Sequence, residues 1–196
     1  TRLQVEHPVT EAITGLDLVE LMIRVAAGER LPIAQKDVRR DGWAIECRIN
    51  AEDPFRNFLP SSGRVVKFIP PPGIPGQVRV DTGMYEGGEV SMYYDSMIAK
   101  LICHGATRDV AIARMREALN AFVIRGVASN IAFQAALMQH PRFQSGNFNT
   151  GFIAEEFPRG FSPESLVHED PLLLAAVAAF ARRRYIGRAI RTSGQL

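Results

Sequence analysis

The 196 residues are 46% hydrophobic and 22% charged, enough apolar material for one sizeable core with length left over for a second, smaller unit. A formal net charge of +2 gives no electrostatic footprint for nucleic acid, and the longest apolar run, Leu172 to Ala181, is about half of what a bilayer crossing needs, so neither nucleic acid nor a membrane is an expected partner. Cys47 and Cys103 stand far apart in apolar, strand-like surroundings without metal-binding spacing, which predicts reduced core thiols, no metal site, and a reducing compartment such as the cytoplasm or an equivalent matrix.

In chain order, residues 1 to 7 alternate Arg2, Gln4 and Glu6 with Leu3 and Val5, the period-two pattern of a half-buried strand. That pattern places a cation, a neutral amide and a carboxylate on one face. A guanidinium fork suits the oxygens of a small anion, the amide adds an orientable donor, and the carboxylate could take a proton from the bound species. The competing view is a solvated strand face, the default for a half-buried strand. His7 would point to the opposite face, as a structural hydrogen-bonding group. From Leu16 to Ala27, Leu18, Leu21, Met22 and Val25 fall at helical spacing, with Asp17 placed to cap the start and Gly28 to end it.

Trp43 to Ile49 alternates again, so Glu46 and Arg48 share a face opposite Cys47. Glu46 could orient Arg48 or simply pair with it. Further strands are predicted at Arg64 to Ile69, Gln77 to Asp81 and Ser96 to Cys103, separated by Pro and Gly clusters and expected to pair antiparallel. Asp95 reads as a turn residue. Thr107 should cap a helix to about Phe122, and Asn130 one from Ile131 to Gln139 that stops near Pro141. Residues 158 to 171 read as a linker, and Leu172 to Ile190 as a helix opening another unit. The segment from Pro171 onward holds five arginines and no acid, leaving 18 basic against 21 acidic residues before it. A strand already under way at Thr1, with no initiating methionine, suggests an internal fragment.

Arg2-x-Gln4-x-Glu6-His7-Pro8-Val9-Thr10-Glu11, followed by Ile13-Thr14-Gly15-Leu16-Asp17, closely resembles the signature that closes the ATP-grasp domain of biotin carboxylases. The later blocks agree in order: Glu46-Cys47-Arg48-Ile49-Asn50-Ala51-Glu52-Asp53-Pro54, Phe58-Leu59-Pro60-Ser61-x-Gly63, Tyr93-Tyr94-Asp95-Ser96-Met97-Ile98-x-Lys100-Leu101 and Arg108-Asp109-x-Ala111 look like that family's carboxyl-terminal domain. The resemblance covers about residues 1 to 157. It implies an α+β fold, a mainly antiparallel sheet flanked by helices and joined to the last strand and helix of an ATP-grasp domain. The implied boundaries are 1–36 for the end of the ATP-grasp domain, 37–157 for the biotin carboxylase carboxyl-terminal domain, 158–171 for the linker and 172–196 for the start of a further helical domain.

The resemblance also assigns roles. Arg2 and Gln4, with the backbone amide of Val5, would hold bicarbonate; Glu6 would deprotonate it; Arg48 would stabilise the biotin enolate. Thr150 matches a position near the family's adenine pocket. Arg2 beside Glu6 should favour the carboxylate, keeping it ionised while weakening it as a base, and the same field makes bound bicarbonate a stronger acid. MgATP would be bound mostly by residues outside this chain, which has no GxxxxGK[ST] loop. Lys36, Lys67 and Lys100 all lack the Met-Lys-Met setting that accepts biotin, so the biotin carboxyl carrier domain would lie elsewhere. Phe122-Val123-Ile124-Arg125-Gly126-Val127 and Val78-Arg79-Val80-Asp81-x-Gly83 look most like the propionyl-CoA carboxylase branch. There the partners would be a carboxyltransferase beta subunit, docked through the basic helix after Pro171, and further copies in an oligomer; acetyl-CoA and methylcrotonyl-CoA carboxylases share the same half-reaction. The contrasting functions are a non-catalytic assembly module and another ATP-grasp ligase, the latter opposed by the Glu-His-Pro-Val-Thr-Glu and Glu-Cys-Arg-Ile-Asn blocks.

Overall fold

The structure, a computed structural model, describes residues 2–166 and 170–192, and the chain divides into two units, Thr1–Ser165 and Leu166–Leu196. In the first unit the elements are α1 (His7–Thr14), α2 (Leu18–Ala26), β1 (Trp43–Asn50), β2 (Glu52–Asp53), β3 (Leu59–Pro60), β4 (Gly63–Arg64), β5 (Lys67–Ile69), β6 (Val78–Thr82), β7 (Glu89–Val90), β8 (Met97–Gly105), α3 (Arg108–Ala121), β9 (Val123–Arg125), α4 (Ile131–Gln139), α5 (Pro141–Ser145) and α6 (Phe152–Glu156). The second unit contains α7 (Pro171–Thr192), with Asp170 accepting a hydrogen bond from the Leu173 amide at 3.0 Å.

The central sheet runs β1-β8-β6, antiparallel throughout. Register sets Arg48 opposite Lys100 opposite Asp81, and Glu46 opposite Ile102 opposite Arg79. Directly opposed residues share a face. The intervening row is apolar: Cys47, Ile49, Leu101 and Cys103 are buried, and α3, which packs on β8 and β1, brings Ala111, Ile112, Met115 and Leu119 into the core. Each fully buried Leu or Met contributes about 1.5–3 kcal/mol, which makes this seam the main support of the unit. Thr107 accepts from the Val110 amide and caps α3 as its position predicts. The other sheet face is charged, and α1 lies against its β1 and β8 strands.

A second cluster, Ala51, Val65, Val90, Ile98 and Val127, fills the space among the two-stranded pairs β2-β3, β4-β7 and β5-β9. The predicted strand at Arg64 to Ile69 is divided in two. Val65 donates to Gly88 and Val66 to Arg125, so the chain changes partners at that point and neither ladder continues through it. Gly126, at φ +102, passes so close to the Arg64 carbonyl that a β-carbon would collide with it. Phe161 is buried, stacked on Phe55 and edge-on to Phe133 and Phe157, so the segment expected to be a linker from 158 is packed at this residue.

Two local expectations change. Residues 2–4 have no regular structure and Val5-Glu6 form a turn into α1, so the strand read at 1–7 is not formed. Among the described residues no strand lies beside it to complete a ladder, and the chain bonds to itself: the His7 amide donates to Gln4 O at 3.2 Å and Val9 to Glu6 O at 3.1 Å. Pro8 at the first turn then starts the helix. Asn130 stands at the start of α4 without capping it, because its side chain is engaged by β1. Asp17, by contrast, accepts from the Glu20 amide at 2.8 Å as a true cap.

Candidate functional site

The base of the site is the charged face of the sheet, and α1 is held against it by the fully buried Pro8 and by a set of ion pairs and hydrogen bonds. Arg48 Nη2 lies 3.1 Å from Glu6 Oε2, joining positions 42 residues apart. Lys100, 14% exposed, donates from Nζ to the Val5 carbonyl at 3.2 Å and lies 3.6 Å from Asp81. Arg79 forks onto both oxygens of Asp81 at 2.7 and 2.8 Å and reaches Glu11 at 2.7 Å. Glu11 also accepts the Leu18 amide at 2.9 Å, tying the start of α2 to the same network.

Arg2, Gln4 and Glu6 line one cleft of about 790 Å³, together with His7. These three polar groups share a cleft although the strand does not form, whereas Val5 and Arg48 are not among the residues that line it. The far wall is the apolar side of α2, including Leu18, Leu21, Met22 and Val25. His7 lines this cleft with Glu6 instead of turning away, and its Nδ1 donates to the Gln4 carbonyl at 2.7 Å. Among the described residues Arg2 has no ion-pair partner, which leaves its donors available to a ligand in the cleft. Thr150 sits exposed in the turn before α6 and does not line this cleft.

Glu46 departs from both expected roles. It makes no ion pair with Arg48; both of its carboxylate oxygens are buried without a hydrogen-bond partner. Burial pushes its pKa above the ordinary carboxylate value, with the charges of Lys100 and Arg48 opposing that shift. Asp81 shows the opposite balance: burial alone would raise it, but hydrogen bonds and charge from Arg79, reinforced by Lys100, hold it below the usual carboxylate range. Cys47 and Cys103 are free and buried, and burial pushes the Cys103 thiol up to about 12 and Cys47 higher still.

Two residues gain an importance the sequence did not give them. Asn130, 5% exposed, accepts the Asn50 amide through Oδ1 and donates through Nδ2 to the Arg48 carbonyl, both at 3.0 Å, so it pins the backbone that carries Arg48. Lys100 interrupts the buried run Ile98-Ala99-Lys100-Leu101-Ile102, and a charge in such a run is a signal that it has a fixed partner.

Residues 46–155 match the biotin carboxylase C-terminal domain, and residues 1–34 match the ATP binding domain of the carbamoyl-phosphate synthase L chain. The chain belongs to the biotin carboxylase family. It is 51% identical to the propionyl-CoA carboxylase alpha chain of Ruegeria pomeroyi, in an alignment covering 100% of this chain and 31% of that one. It is 54% identical to biotin carboxylase 1 of Bacillus subtilis, over 78% of this chain and 34% of the relative. The biotin carboxylase domain of a thermophilic 2-oxoglutarate carboxylase bound to bicarbonate superposes with a TM-score of 0.77 at 47% identity, covering 80% of this chain and 35% of that one. The biotin carboxylase subunit of pyruvate carboxylase gives 0.78 at 45%, covering 87% and 36%. The chain thus spans about a third of the length of these relatives. The α+β, mainly antiparallel fold agrees with these neighbours. No helix among the described residues is long and apolar enough to cross a membrane.

Proposed function

We propose that this chain is part of the biotin carboxylase component of an acyl-CoA carboxylase, with propionyl-CoA as the eventual acyl substrate, and that it contributes to the ATP- and bicarbonate-dependent carboxylation of carrier-bound biotin. The observation that carries the reading is the 3.1 Å contact between Glu6 and Arg48, which brings the base and the biotin-facing cation to one place. Arg2, Gln4 and the Val5 amide hold bicarbonate, a small anion suited to a guanidinium, an amide and a backbone N–H. Glu6 takes its proton. Biotin supplies the nucleophilic ureido nitrogen, and the Arg48 guanidinium faces the ureido oxygen, where negative charge grows. A preorganised cation there is worth on the order of a hundredfold or more in rate.

Both roles require the Glu6–Arg48 pair to open. Both side chains are about half exposed, 58% and 51%, and an exposed pair of this kind is worth only about 0.2–1 kcal/mol, so an arriving anion can separate them readily. The exposed apolar residues of α2, Val19, Met22 and Val25, accord with an ATP-grasp domain of which residues 1–36 are the end; 37–157 form the carboxyl-terminal domain, 158–171 a connection, and 172–196 the start of a further helical domain. MgATP binds mostly outside this chain, with Thr150 at the edge of the adenine site. The partners are the biotin carboxyl carrier domain, a carboxyltransferase beta subunit reached through the arginine-rich α7, and further copies in an oligomer; the compartment is cytoplasm or a mitochondrial-type matrix. Identity of 51% to a propionyl-CoA carboxylase alpha chain supports this branch.

The test is Arg48→Ala in the full-length subunit. Loss of biotin carboxylation with bicarbonate-dependent ATP cleavage retained is the expected result; equal loss of both contradicts the role given to Arg48.

A further inference from the structure

Lys100 has no place in the roles above, yet its position is unusual. It sits in the middle of β8, directly across from Arg48 on β1 and from Asp81 on β6, on the charged face. A long aliphatic stem with only 14% of the side chain exposed costs conformational entropy and desolvation, which a surface lysine avoids. Its ammonium is surrounded by acceptors. It donates to Val5 O at 3.2 Å, lies 3.6 Å from Asp81, and is the foremost positive charge acting on the buried, unpartnered Glu46 carboxylate.

The turn it reaches has few other anchors. Among the described residues the Gln4 carbonyl is held only by His7, three residues on, and the Glu6 side chain by the half-exposed Arg48. Neither contact comes from a buried group of the sheet. Lys100 alone among the described residues ties the Val5–Glu6 peptide to buried structure, across 95 positions of sequence.

We propose that Lys100 is a positioning residue for the bicarbonate site: by donating to the Val5 carbonyl it fixes the turn on which the Val5 amide and the Glu6 carboxylate face the anion. Asp81 fixes Lys100 in turn, and Arg79 fixes Asp81 through its two-pronged hydrogen bond, so the chain of contacts runs from β6 through β8 to the turn. The inference rests on the bicarbonate reading of Arg2, Gln4, Val5 and Glu6. It adds a residue that touches neither anion nor biotin and acts through the backbone.

The experiment is Lys100→Met in the full-length subunit, followed by bicarbonate-dependent ATP cleavage with each substrate varied in turn, and by amide hydrogen exchange at residues 4–7. Loss of one charge-assisted hydrogen bond is expected to raise KM for bicarbonate about ten- to a hundredfold. KM for ATP should stay within about twofold, since only the anion turn is released. Exchange at Val5 and Glu6 should quicken while α3 stays protected, and Lys100→Arg, which can donate to the same carbonyl, should recover most of the bicarbonate affinity. Lys100→Gln carries the same test should the methionine variant not fold. A bicarbonate KM and residue 4–7 exchange unchanged from wild type, alongside an inactive Glu6→Gln, overturns the role of Lys100 while leaving the base in place. Turnover intact in Glu6→Gln overturns the bicarbonate reading itself, and this inference with it.

Discussion

Replacing Asn130 by alanine tests how the Arg48 backbone is held. The side chain satisfies two groups at once, the Asn50 amide and the Arg48 carbonyl, both at 3.0 Å and both at a residue only 5% exposed. Alanine leaves that donor and that acceptor without their partner, and each unsatisfied buried group costs about 1–3 kcal/mol. Gln134 Nε2, 3.4 Å from the same Arg48 carbonyl, offsets part of the second loss. The expected destabilisation is about 2–4 kcal/mol, measured by urea denaturation as a lowered midpoint with an unchanged slope. Asn130→Asp, which keeps an acceptor for Asn50 but buries a carboxylate against the Arg48 carbonyl, should be at least as destabilising as alanine at neutral pH. A change below about 0.5 kcal/mol for the alanine variant, the range of ordinary surface substitutions, would refute the argument.

Other outcomes follow from the same contacts. Arg48→Ala should shift stability by less than about 1 kcal/mol in thermal melts, because the Glu6 pair is half exposed, even as biotin carboxylation collapses; a large melting shift would make Arg48 structural. Asp81 has a lowered folded pKa, so its stabilising contribution is present above its unfolded value and is lost as pH falls through the folded one; Asp81→Asn should flatten the acid limb of a stability-versus-pH curve. Glu46 has the reverse shift, so its ionised form costs stability at neutral pH and that cost vanishes in acid: Glu46→Gln should stabilise the chain at pH 7 and be neutral well below the carboxylate range, as read by denaturation at both pH values. With both thiols buried and their pKa values raised, Cys47 and Cys103 should react with a thiol-specific reagent only on unfolding, and prompt labelling of the native chain would contradict the described core.

Much of the scaffold was legible because local rules decide it. Strict alternation from Trp43 to Ile49 marked β1, and Asp17 and Thr107 marked helix starts that their side chains do cap. The opening segment misled because alternation describes a face, while a strand also needs a neighbour to bond to. Asn130 had the right residue type and place for a cap, yet its partners lie 80 and 82 residues away, and a long-range bond of that kind leaves no local trace. The site was legible through motif resemblance more than through chemistry: Arg2, Gln4 and Glu6 meet in one cleft and Glu6 meets Arg48, whereas the pairing suspected between Glu46 and Arg48 does not occur. Lys100 was visible as a charge within an apolar run, but only the strand register shows what it faces.

The two sides of the central sheet respond to different solvents. Contacts between α3 and the sheet are mainly apolar, with Arg114 of α3 donating to the His104 carbonyl, and respond little to ionic strength, whereas the ion pairs that Glu6 and Glu11 make with Arg48 and Arg79 are screened by added salt over roughly 8–10 Å. Electrolyte therefore loosens the turn that carries Glu6 more than the packed interior, and a salt titration separates fastening from folding within a single chain.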